Sequence, residues 1–213
     1  MRRILHISKD WLFLLAYLVA IFGILPFSGY LAQNIARRVP FFSFLITVLV
    51  YVAIGIIGIA LAIYVIVTNK GFKIPRLLIL AVILLIGLDG LGKIEGVYDK
   101  LHIIEYSILA FLLFRVLRFY NPSTALYLWC VIFVCIAGYV DEFVQSFIPG
   151  RGFSLQDIRI DVFASILSEL SIALVICPKL EKWRLKMSFY KKKLYERQEW
   201  IKDYRMRRDE KEI

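Results

Sequence analysis

Three short stretches, far apart in the chain, carry side chains able to move protons and hold anions. In the first, Asp99-Lys100-Leu101-His102 leads into Glu105 and Tyr106. On a helix Asp99, His102 and Tyr106 are three and four residues apart and share a face. The second is Asp141-Glu142-Phe143-Val144-Gln145, in which Glu142 and Gln145 again share a face, and the third runs from Pro149-Gly150-Arg151 through Ser154 to Asp157 and Asp161. Asp157, Asp161, Ser165 and Ser168 then form one stripe that continues into an apolar segment. The chemistry these types offer is general acid–base work, with His102 as base or acid, Asp99 one turn away to orient it, and Glu142 as the complementary carboxyl. Those are the candidate catalytic residues. Lys100 and Arg151 are suited to hold an anion, Arg151 at the tip of a tight turn in which Gly152 is free to take φ > 0. Tyr106 and Gln145 would position a substrate, while Asp157 and Asp161 form an electrostatic or cation-binding pair. The same groups have a plainer use as interhelical ion pairs and hydrogen bonds that lock a bundle, and the sequence leaves both uses open. Metal ligation by His102 with Glu142, Asp157 or Asp161 is an alternative that no HExxH or similar spacing supports, so no metal is assigned, and the absence of a G-x-S-x-G elbow, a P-loop or a dinucleotide fingerprint leaves any cofactor unknown.

The elements that must position these residues are membrane helices. A chain of 213 residues that is 60% hydrophobic is neither disordered nor a secreted disulfide scaffold. Its apolar residues gather into six uninterrupted runs, about 11–27, 41–68, 74–91, 101–117, 124–140 and 158–177, each near the ~20 residues a helix needs to cross a bilayer. The first run is followed by Pro26, Phe27 and Tyr30 rather than a small-residue cleavage site, so it reads as a retained span and not a signal peptide. The second is long enough to require tilt. The expected fold is therefore all-α, a polytopic membrane bundle of six transmembrane helices. It divides into a three-span region over 1–91, a second three-span region over 92–177 and a polar tail over 178–213.

Charge sets the expected orientation. Lys and Arg number 27 against 17 Asp and Glu, and most of the basic residues fall in one alternate set of segments: Arg2, Arg3 and Lys9; Lys70, Lys73 and Arg76; Arg115 and Arg118; and the tail. Basic segments stay on the cytoplasmic side, so both termini are expected there and the three polar stretches at the outer face. In the tail, Trp183, Met187, Tyr190 and Leu194, then Ile201 and Tyr204, follow helical spacing with Lys191, Lys192 and Lys193 around them. That is the pattern of an amphipathic basic helix lying on the anionic inner leaflet, and nucleic-acid binding is not expected. Cys130, Cys135 and Cys177 lie in apolar runs and read as buried thiols.

Taken in order, D-K-x-H-x-x-x-Y at Asp99, Lys100, His102 and Tyr106, then Glu142-x-x-Gln145, Arg151 and Asp157 resemble the VanZ-like membrane protein family over about residues 97–174. Two positions depart from that pattern: Asp161 stands where the family usually has Asn, and Ala164 where it usually has Gly. The resemblance implies a multi-pass protein of the bacterial cell membrane, in a family whose named member is associated with low-level resistance to the glycopeptide teicoplanin. Joined to the residues, it gives three expectations. One is an enzyme modifying an envelope lipid or lipid-linked cell-wall component at the outer leaflet. Another is a binder or translocator of an anionic lipid or antibiotic, and the last is a structural membrane partner. Membrane lipid, a lipid-linked wall precursor or a glycopeptide are the partners implied.

Overall fold

A computed structural model describes residues 2–24, 35, 38–68, 73–97, 99–120, 123–148 and 151–176, and no strand occurs among them. Six helices follow in chain order: α1 (Arg2–Val19), α2 (Pro40–Thr68), α3 (Lys73–Gly92), α4 (Asp99–Leu117), α5 (Ala125–Gln145) and α6 (Leu155–Leu170). α1 and α6 each continue as a π-helical turn, Ala20–Ile24 and Ser171–Ile176. Local chemistry sets several of the ends. Pro40 opens α2, where its missing N–H has no partner to lose. Asp99 stands in the first turn of α4 and Arg115 in its last, each complementing the helix dipole. Ser154 caps α6, its side chain accepting from the Asp157 backbone N–H.

Three helices, α2, α3 and α5, are long and apolar enough to cross a membrane. α2, with 29 residues, is about 44 Å long at ~1.5 Å per residue, more than a hydrocarbon core is thick. Its apolar side chains Phe41, Phe44, Val52, Ile56, Ile59 and Val67 point outward, which suits a lipid environment and not water. The other three expected spans differ in kind. α1 carries Arg2, Arg3, Lys9 and Asp10, α4 carries Asp99, Lys100, Glu105 and Arg115, and α6 packs Asp157, Arg159, Asp161 and Glu169 into 16 residues. In α4 and α6, Glu105, Arg115, Arg159, Asp161 and Glu169 fall inside the expected apolar runs, whereas the charges of α1 all precede the run at 11–27.

Packing centres on α4 and α6, whose mutual contact is the most extensive, with α5 against α6 next and α1 against α4. The core they share holds Ile103, Tyr106, Leu109, Ala110, Leu126, Val134, Ile160 and Ala164, all buried. α1 runs antiparallel to α4. An Asp10–Arg115 ion pair and a 2.8 Å bond from Trp11 Nε1 to Tyr120 join them at one end, and Tyr17 donates to the Glu105 carbonyl at 2.9 Å nearer the other. Cys130 is buried as expected, but Cys135 is exposed on the outer flank of α5. Cys177, Pro149, Gly150 and the amphipathic tail lie outside the described residues.

Candidate functional site

His102 begins the second turn of α4, Asp141, Glu142 and Gln145 lie in the last turns of α5, and Asp157 and Asp161 lie in the first turns of α6. Because α4 and α6 start where α5 stops, the three polar stretches meet at one end of the bundle. The helical periods do the rest. His102 and Tyr106, four apart, stack their rings at 5.8 Å on the inward face of α4, and Asp161 and Ser165 occupy the inward stripe of α6. His102, Asp141, Glu142, Gln145, Asp161 and Ser165 are all buried, and Glu142 and Asp161 are fully so.

Specific hydrogen bonds order the cluster. His102 Nδ1 lies 3.0 Å from Asp161 Oδ1. Asp141 Oδ2 accepts from Tyr106 at 3.0 Å and from Gln145 Nε2 at 2.9 Å. Glu142 Oε2 accepts from the Ser154 backbone N–H at 2.9 Å, tying the end of α5 to the cap of α6. The reactive atoms of His102, Glu142 and Asp157 lie within 4.8 Å of one another. Among the described residues Asp141 Oδ1, Glu142 Oε1, Asp161 Oδ2 and the Ser165 hydroxyl are buried without a hydrogen-bond partner. A buried polar atom in that state costs ~1–3 kcal/mol, so the cluster is not optimised for stability alone.

The imidazole is held differently from the expected manner. Asp161, on another helix and 59 residues away, takes Nδ1, whereas the Asp99 carboxylate bends back over Gly96. Asp99 stays near the rim as an electrostatic neighbour of Asp157. Lys100 is half-buried at the start of α4 and forms no ion pair among the described residues. Arg151 is half-buried and faces Glu105, Asp141 and Asp157 electrostatically. Gly152 does not take φ > 0; the Arg151 N–H instead closes a turn onto the Ile148 carbonyl at 3.1 Å. With the acids covered, the half-buried Asp157 and Arg151 form the accessible edge.

Two contributors went unrecognised in the sequence. A Cβ on Gly138 would lie 2.5 Å from Asp161 Oδ2, so this glycine lets α5 approach the Asp161 carboxylate. Its signal was a glycine in an otherwise apolar helix, one turn before Asp141–Glu142. Glu169, eight residues beyond Asp161, is buried deeper in α6, where the Cys130 thiol of α5 faces its carboxyl group. An acid inside an apolar run was itself the signal.

Between α2, α3, α4 and α6 lies a half-open, largely apolar cavity of about 340 Å³, lined in part by Ile54, Leu84, Ile104, Phe111 and Leu167. Ile103 and Ser107, which line it from α4, are the sequence neighbours of His102 and Tyr106. No family model, curated protein or solved structure matches the chain.

Proposed function

We propose that this chain is a VanZ-like integral membrane protein of the bacterial cell envelope that acts on or binds an envelope lipid or a lipid-linked cell-wall component. In this reading all six helices are membrane-embedded, both termini are cytoplasmic and the basic tail lies on the inner leaflet. The polar end of the bundle then faces the cell wall, where a glycopeptide such as teicoplanin would also be met. One observation carries the proposal: His102, Glu142 and Asp157, drawn from three helices, bring their reactive atoms within 4.8 Å. Ionisable groups at a membrane boundary are expensive unless they pair or line a wet cavity. His102, held by Asp161, and Glu142 supply an acid and a base, Arg151 an anion holder, and Tyr106 and Gln145 fix the Asp141 carboxylate beside them. A non-catalytic binder or translocator of an anionic lipid or antibiotic is the second reading. It is favoured by the apolar cavity of about 340 Å³ between α2, α3, α4 and α6, which is large enough for part of an acyl chain.

Separate His102→Ala and Glu142→Gln variants test the site when membrane abundance and envelope phenotype are measured together. Loss of the phenotype at normal abundance is expected; loss of abundance alone reduces the cluster to a structural lock. Lipid and muropeptide mass spectra then separate the two readings, since a deletion strain with unchanged spectra has lost a binder and not an enzyme. Orientation is tested by Arg151→Cys in an otherwise cysteine-free chain. An impermeant maleimide is expected to label it in intact cells, and labelling only after lysis would reverse the topology.

A further inference from the structure

We propose that His102, Glu142 and Asp157 form a binding site for one divalent metal ion of the zinc or manganese type. The inference stands on the donor geometry and is independent of any substrate. Sequence spacing offers no local ligand motif, because the three donors are spread over three helices and Asp157 follows His102 by 55 positions. The fold gathers one imidazole and two carboxylates within 4.8 Å. Ligands on a tetrahedral ion at ~2.1 Å lie about 3.4 Å apart, so rotation of the half-buried Asp157 side chain is the main adjustment needed.

Two further observations point to an ion. Glu142 is fully buried, its Oε2 is engaged by the Ser154 N–H, and its Oε1 has no hydrogen-bond partner among the described residues; a metal would take that oxygen. The second is the support behind the imidazole. A metal-bound histidine typically donates its other ring N–H to a carboxylate, which fixes tautomer and ring orientation. His102 Nδ1 lies 3.0 Å from Asp161 Oδ1, leaving Nε2 as the ligand atom. Asp157 is likewise set in place, by the Ser154 cap on its backbone N–H at 3.2 Å.

Charge favours occupancy. A neutral imidazole with two carboxylates carries the charge that one divalent ion cancels, which offsets the cost of desolvating Glu142. Arg151 and, at the start of α4, Lys100 are cations at this end, and Glu105, Asp141, Glu142, Asp157 and Asp161 outnumber them. A mixed nitrogen and oxygen donor set suits zinc or manganese better than magnesium or calcium, which prefer oxygen alone. Three protein ligands leave a position open for water or an anionic oxygen.

The test uses the full chain, purified in detergent, stripped with EDTA and dialysed against zinc or manganese chloride, with metal measured by elemental analysis and unfolding followed by heat. About one equivalent per chain and a raised unfolding temperature are expected for the wild type. Asp157→Asn, at the rim, and Glu142→Gln, which keeps the shape, are each expected to weaken binding by at least the ~10–100-fold that loss of a mere outer-shell partner costs, while Asp89→Asn on exposed α3 leaves uptake unchanged. Absence of stoichiometric uptake by the wild type overturns the site whether or not the variants fold. So does undiminished uptake by either variant.

Discussion

Gly138→Ala is expected to destabilise the protein by about 1–3 kcal/mol, the usual cost of forcing an extra methyl into a packed interior. The new Cβ would sit 2.5 Å from Asp161 Oδ2. That oxygen is not the free end of a long flexible chain, because Oδ1 of the same carboxylate is held by His102. Moving Asp161 away therefore pulls on the imidazole, and moving α5 away loosens the Glu142–Ser154 bond. Helix propensity works the other way, since Ala is better than Gly by ~1 kcal/mol in a helix interior, so a pure propensity effect has the opposite sign. Gly55→Ala supplies the control: nothing lies within 4 Å of its added Cβ, and it is expected to be neutral or stabilising. Both are measured as unfolding midpoints of the full chain in the same detergent. A stabilised Gly138→Ala protein would mean that α5 and α6 do not approach as closely as described.

Individual residues show how much was legible in the sequence. The spacing of His102 with Tyr106 and of Glu142 with Gln145 identifies helix faces, and those faces meet. Spacing within one helix also nominated Asp99 as the partner of His102, and there it failed. Periodicity reports neighbours three and four residues away on the same element; it carries no information about the register of α4 against α6, which is what brings Asp161 to Nδ1. Glu169 was passed over for a related reason. The inward stripe of α6 was drawn through Ser168, whereas the buried positions are Asp161, Ser165 and Glu169, four apart each time. The apolar runs located the helices well. They were weaker evidence for six spans, because α1, α4 and α6 mix their apolar faces with charges that only the tertiary structure sorts into inward and outward.

The contrast at Asp161 is the more demanding prediction. Asp161→Ala is expected to cost about 3–5 kcal/mol, because one partner of a buried polar pair is removed and the other is left unsatisfied. His102 is 5% exposed and Asp161 0%, so bulk solvent does not reach the place of the lost carboxylate. Asp161→Asn is expected to cost far less, about 1–2 kcal/mol. Its Oδ1 still accepts from Nδ1, its shape is nearly unchanged, and the amide replaces Oδ2, an atom that already has no partner among the described residues. A double-mutant cycle separates pairing from cavity formation: His102→Ala with Asp161→Ala should fall short of the sum of the single variants by about 0.5–3 kcal/mol, as for directly interacting residues. Unfolding of the purified full chain reads all four corners. Strict additivity would show that the imidazole does not depend on Asp161, and equal costs for Asn and Ala would show that the pair needs the negative charge and not only an acceptor.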